Sequence, residues 1–137
     1  MNRSILRKLA RTRLREAKTL LINGNYDGAY YLAGYAIECA LKACIARKIN
    51  KYDFPDKQLV NQSYSHDFLS LIKVAGLSAV HQQIVNQNNN FSAKWNVVKD
   101  WNETSRYEFH NKQKAKDIYN SIVSRNNGVL RWIKQYW

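Results

Sequence analysis

The sequence predicts an all-α protein, an antiparallel up-and-down bundle of four to five helices. Apolar residues recur at helical spacing over most of the chain, and no segment of convincing length alternates apolar and polar residues as a strand would. Five Gly and one Pro leave little material for the turns of a many-stranded sheet. At 137 residues, with 45% apolar content, the chain is expected to form one domain over residues 1–137. A chain of this size buries roughly two-thirds of its unfolded surface, so it needs no disulfide or metal staple.

The first helix is expected from Arg3 to Ile22. Leu6, Leu9, Ala10, Leu14, Ala17 and Leu21 mark its apolar side, while Arg3, Arg7, Arg11 and Arg15 repeat every four residues on the other. The arginine stripe reads either as a solvated face or as a surface for an acidic partner. Asn23-Gly24 is a stop signal, because Gly enters the left-handed conformation cheaply. Asn25 or Asp27 can cap the second helix, which is expected to run to about Asn50. The short connection makes the two helices an antiparallel hairpin. Ala29, Ala33, Ala36, Ala40 and Ala43 let another helix approach the second one closely.

Lys51 to Ser65 reads as a long polar connection around Pro55. Ser65-His66-Asp67 opens a short helix through Ala75, with Ser65 as its cap and Gly76 as its stop. In this setting His66 is a helix-start residue whose imidazole bonds a neighbour. Ser78 to Gln87 is helical by pattern, Asn86 to Asn90 is a break, and Phe91 to Trp101 resumes the helical period. Asn102 to Tyr107 is a turn. The last helix is expected from Lys112 to the end of the chain, weakened at Gly128 by up to ~1 kcal/mol relative to Ala.

The balance of charge is strongly basic. Lys and Arg number 22 against 10 acidic residues, a net charge of +12. Such an excess points to a polyanionic partner: nucleic acid, nucleotide, acidic protein or anionic membrane. Gly28–Ala46 is long and apolar, yet Glu38 and Lys42 near its middle argue against a membrane span. No signal peptide is visible in the basic start. Cys39 and Cys44 lie on one helix and cannot be bridged without unwinding it, so they read as core residues of a reduced, cytoplasmic protein.

The same apolar segment carries the most informative pattern. Tyr31, Tyr35, Glu38 and Lys42 fall along one helical face. Burying a carboxylate costs several kcal/mol unless it is paired, so Glu38 requires basic partners, expected on neighbouring helices. No phosphate-binding loop, dinucleotide fingerprint or paired Cys motif is present, and His66, His81 and His110 are not at metal-ligand spacing. No metal or cofactor is therefore expected. If the chain were helical from Arg106 onwards, Arg106 and His110 would share a face. Arginine clamps phosphate and histidine moves a proton near neutral pH, which suffices for metal-free RNA cleavage. The alternative is that Arg106 pairs with Glu38 and His110 lies on the surface. Tyr31, Tyr35, Trp101 and Tyr107 could stack on bases or could be core with polar tips at the boundary.

Tyr30-Tyr31-Leu32-Ala33-Gly34-Tyr35-Ala36-Ile37-Glu38-Cys39-Ala40-Leu41-Lys42-Ala43, with Ser65-His66-Asp67-Phe68 and Trp101 followed by Ser105-Arg106-Tyr107, resembles the HEPN family, named for a nucleotide-binding domain of higher eukaryotes and prokaryotes. The resemblance implies a helical bundle that is usually a homodimer. It also implies a role in toxin–antitoxin or phage-defence systems, where many members are RNases, or beside a minimal nucleotidyltransferase partner. Some members bind nucleotides without cutting. Cutting members carry an Arg, four to six residues, then a His; here only three residues separate Arg106 from His110. One residue turns a helical side chain by about 100°. The expected function is accordingly binding of a nucleotide or RNA phosphate through Tyr31, Tyr35, Glu38, Lys42, Arg106 and Tyr107. The alternatives are a metal-independent endoribonuclease using Arg106 and His110, and a non-catalytic interaction or dimerisation module.

Overall fold

The computed structural model describes residues 1–49 and 53–137. Among these the chain forms α1 (Arg3–Ile22), α2 (Tyr26–Arg47), α3 (Lys57–Ser63), α4 (Phe68–Val74), α5 (Ser78–Gln87), α6 (Asn89–Val98), a 3-10 turn (Glu103–Tyr107), α7 (Lys112–Val123) and α8 (Val129–Lys134), with no strand. The all-α expectation holds, with more and shorter helices than the bundle read from sequence.

A helix that is apolar nearly all round must be largely buried, and α2 is, apart from its ends and a half-buried line through Tyr31, Leu32, Tyr35 and Lys42. It packs against α1, α4, α7, α8 and the 3-10 turn. Ala33, Ala36, Ala40 and Ala43 are fully enclosed, and these small side chains are what let so many neighbours approach. α1 lies antiparallel to it: Leu20 touches Gly28 at one end, and Arg3 lies near Cys44 at the other. Leu6, Ala10, Leu14 and Ala17 form the buried side of α1, as their spacing predicted. Asn2 caps α1 by accepting from the Ile5 N–H at 2.9 Å, and Gly24 ends the turn after it at φ 79°.

Several local expectations are corrected. Asn25 occupies the N-cap of α2, but its side chain makes no capping bond. The Asp27 carboxylate accepts instead from the backbone N–H of His110, which ties the start of α2 to the segment before α7. α2 ends at Arg47, and its expected end at Asn50, like Lys51 at the start of the polar connection, lies outside the described residues. That connection contains α3, capped by Asp56. Asp67, rather than Ser65, caps α4 by accepting from the Ser70 N–H at 3.0 Å; Ser65 Oγ accepts from the Asp67 N–H at 3.1 Å.

The expected single final helix is broken in two. α7 stops at Val123, Asn127 takes a left-handed φ of 61°, and Gly128 caps α8. A Cβ on Gly128 would lie 2.2 Å from the Ser124 carbonyl oxygen, so glycine is there for a close backbone turn and does not merely weaken a helix. Asn88 links this turn to the other break: it caps α6 at the Phe91 N–H and donates from Nδ2 to Asn127 Oδ1 at 2.8 Å.

Trp101 joins the C-terminal half to α2. Its indole N–H donates to the Tyr31 carbonyl at 3.2 Å, and its ring stacks on Phe68 of α4 with centroids 5.2 Å apart. Gly34 makes room for the ring, since a Cβ there would lie 2.2 Å from it. Gly34→Ala should therefore cost about 1–3 kcal/mol in urea denaturation, the usual range for overpacking a rigid site.

His81 is buried against Trp95 and Trp132, with Nε2 unpartnered, and burial holds its pKa below the ordinary value. The unfolded chain binds the proton near pH 6.5, whereas the folded chain resists it to lower pH. The unfolded state therefore carries more protons in that window. Stability should fall as pH drops from about 6.5 towards the folded pKa, by at most ~1.4 kcal/mol per pH unit from this group. His81→Gln should flatten that part of a denaturation-versus-pH curve.

Candidate functional site

Glu38 is 2% exposed, and both of its carboxylate oxygens are engaged. Lys42, one turn further along α2, donates from Nζ to Oε1 at 2.9 Å. The second partner is His66, whose Nδ1 lies 3.0 and 3.1 Å from the two oxygens. The need for basic partners is met, but by Lys42 on the same helix and by a histidine in the segment before α4. Arg106 is not one of them. The Lys42 ammonium keeps N–H donors beyond the one given to Glu38. The His66 side chain is 47% exposed, and its Nε2 makes no hydrogen bond to the described residues.

Aromatic rings continue this face towards the start of α2. Tyr31 stacks on Tyr35 at 6.1 Å between centroids and on Trp101 at 5.9 Å. Both tyrosines are half-buried. Burial, with Cys39 and Glu38 nearby, raises the Tyr35 hydroxyl above its ordinary pKa and keeps it protonated near neutral pH. Arg13 of α1 lies close enough to Tyr35 and Cys39 to act on them electrostatically, while its own guanidinium pairs with Glu16 at 2.5 Å. From Tyr31 to Lys42 the strip is about 16 Å long at 1.5 Å per residue.

Arg106 lies in the 3-10 turn, and the chain is extended at Glu108, so Arg106 and His110 do not share a helical face. The Arg106 guanidinium lies 4.9 Å above the Tyr107 ring, pairs with no carboxylate among the described residues, and is exposed. Tyr107 and Phe109 are exposed as well, at 77% and 95%. His110 has the opposite environment. It is buried, stacks on Tyr30 with centroids 3.9 Å apart, and its Nε2 lies 3.2 Å from the Ser105 carbonyl oxygen. The expected surface position of His110 is corrected: the bond from its backbone to Asp27 pulls the residue inward. Lys114 also approaches the Tyr30 ring, with Nζ 5.1 Å from its centroid.

The sequence singles out His66 but does not place it with Glu38. The two are 28 residues apart, and no local periodicity relates them. Among the described residues no group of three His, Cys, Asp or Glu side chains could hold a metal ion, and no helix is long and apolar enough to cross a membrane.

These features define a basic, all-helical domain organised around one central helix with a buried carboxylate. The HEPN domain model matches residues 4–136, and the chain belongs to that family. It is thereby a helical domain of a nucleotide- and RNA-related family. No curated protein and no solved structure matches the chain.

The ion pairs give a direct test of which cation supports Glu38. Lys42→Met should lower stability by about 3 kcal/mol in chemical denaturation, because it leaves a buried carboxylate with one partner. Arg106→Ala should change stability by no more than ~0.5 kcal/mol, as an exposed side chain without an ion pair.

Proposed function

We propose that this protein binds a nucleotide or RNA phosphate on the face of α2 that runs from Tyr31 to Lys42, and does so without cleaving it. The observation that carries this reading is the Glu38 cluster. One buried carboxylate fixes Lys42 Nζ and His66 Nδ1 together, while the remaining Lys42 donors and the exposed His66 ring stay uncommitted. A Lys42 ammonium pre-positioned in this way suits a phosphate, since little ordering remains to be done on binding. Tyr31 and Tyr35 flank the donors as an apolar wall. Arg106, exposed and free of carboxylates among the described residues, adds a further phosphate contact with Tyr107 beneath it.

The cleaving alternative requires His110 to reach a ribose hydroxyl. Its ring is covered by Tyr30 and directed to the Ser105 carbonyl, which supports binding over cutting. The reading extends to the protein's context. The domain, spanning residues 1–137, acts as a homodimer in a toxin–antitoxin, phage-defence or nucleotidyltransferase-linked system, beside a minimal nucleotidyltransferase partner. Exposed Tyr107 and Phe109 supply apolar surface for self-association. A cytoplasmic location fits the two unbridged cysteines, whose thiols burial pushes up to about 11 for Cys39 and about 12 for Cys44.

Calorimetric titration with a nucleoside monophosphate tests the site. His66→Ala and Arg106→Ala should each weaken binding about tenfold, a loss of ~1.4 kcal/mol. The wild-type protein should leave a mixed RNA pool intact in the presence of a chelator. Cleavage abolished equally by Arg106→Ala and His110→Ala would replace this reading with the nuclease.

A further inference from the structure

A second concentration of positive charge lies where α1 meets Trp137, just beyond α8. Between α1 and the α7–α8 turn is a groove of about 470 Å³. Val123, with Leu14 and Leu130 beneath it, forms its apolar floor, and Arg125, Arg131 and Lys134 line it with no acidic residue among them. The charge continues beyond the groove. Lys134 Nζ lies 5.6 Å from the centre of the Trp137 ring, and the guanidinium carbons of Arg11 and Arg7 lie 4.8 and 5.1 Å from the same centre. Among the described residues none of these five cations is paired with a carboxylate, and the one ion pair of α1 is that between Arg13 and Glu16.

Cations gathered round one indole repel one another, and the ring quadrupole offsets that repulsion only weakly at exposed sites. A bound polyanion would relieve that repulsion. The arginine stripe of α1 is therefore neither a uniformly solvated face nor an isolated one: its first turns merge with the cationic groove. The groove is also separate from the Glu38 strip. α8 meets α2 at Cys44, whose Sγ lies 3.8 Å from the Ile133 carbonyl oxygen. At about 100° per residue, Cys44 lies about 120° around α2 from Glu38.

We infer that this groove and the adjoining arginines bind single-stranded RNA, seating a nucleotide on the apolar floor with its backbone phosphates against Arg125, Arg131 and Lys134 and the next phosphates towards Arg11 and Arg7. The inference rests on the phosphate-binding reading above and extends it from a single nucleotide to a strand. The volume falls in the range of sites that hold small organic ligands. A lipid surface fits less well, because Leu6, Ala10, Leu14 and Ala17 of α1 are buried and its exposed apolar residues, Ile5 and Ile22, lie at opposite ends of the helix and form no stripe to insert. A purely acidic chain such as polyglutamate would answer the charge but leave the apolar floor unused.

The test is fluorescence anisotropy with a labelled single-stranded oligouridylate across a series of KCl concentrations. The triple variant Arg125→Ala, Arg131→Ala, Lys134→Ala should raise Kd at least about tenfold. It should also reduce the slope of log affinity against log salt by about 2, because each phosphate left without its cation removes roughly 0.7 from the slope. All three side chains are exposed. Arg125→Lys with Arg131→Lys should retain most of the affinity and the slope, which a purely structural loss would not. Unchanged Kd and slope in the triple variant would overturn the inference. So would wild-type binding to phosphatidylserine vesicles or polyglutamate that equals RNA binding and is lost in the same variant. Loss of RNA binding in the triple variant with mononucleotide binding untouched by His66→Ala and Arg106→Ala would support the groove and remove the Glu38 strip. The reverse pattern would remove the groove alone.

Discussion

Glu38 sits inside the bundle with its carboxylate divided between Lys42 and His66, and separate pieces of chain must be in place for that arrangement to hold. α2 supplies the acid and the lysine one turn apart. α4 must dock through Phe68 and Leu71 for His66 to arrive at the carboxylate. An unpaired carboxylate at this depth would cost several kcal/mol, so the ion cluster and the packing of α4 require one another. The cluster is asymmetric in exposure: the acid is enclosed, the lysine partly so, and the histidine is open to solvent. A fixed ammonium, that of Lys42, and an accessible imidazole at the edge of a packed core follow from that asymmetry.

The Trp101 contact is the second constraint. Gly34 leaves a gap on α2, Trp101 fills it, and Phe68 and Tyr31 close over the indole. The 3-10 turn that follows is held at the Tyr31 end of the strip. From there the chain divides two residues that sequence spacing had placed together. Arg106 stays outside with Tyr107, while the bond from the His110 N–H to Asp27 turns the imidazole inward onto Tyr30. The same short segment thus presents an exposed cation and conceals a histidine.

The excess positive charge is organised by the packing. Arg13 is paired with Glu16, and Lys42 shares Glu38 with His66. Arg7, Arg11 and Lys134 are gathered on the Trp137 ring, and Arg3 donates to the Trp137 carbonyl. The residues that hold Trp137, just beyond α8, against α1 are therefore the ones that make that face cationic. Cohesion and charge come from one set of side chains, because guanidinium groups stack on an indole as readily as they meet an anion.

The all-helical class, the α1–α2 hairpin, the buried side of α1 and the alignment of Tyr31, Tyr35, Glu38 and Lys42 were all legible in the sequence. Each depends on helical periodicity and on residues no more than a few turns apart. The need for a basic partner at Glu38 was legible too, because the cost of a buried carboxylate does not depend on topology. Which base answers it was not: His66 is 28 residues away, and only the docking of α4 brings it there. The break at Ser124–Gly128, the capture of Asp27 by His110 and the joining of the arginine stripe to Trp137 were likewise decided by tertiary packing. Local pattern fixes which face of a helix must be buried, but it carries no information about which distant segment will cover that face.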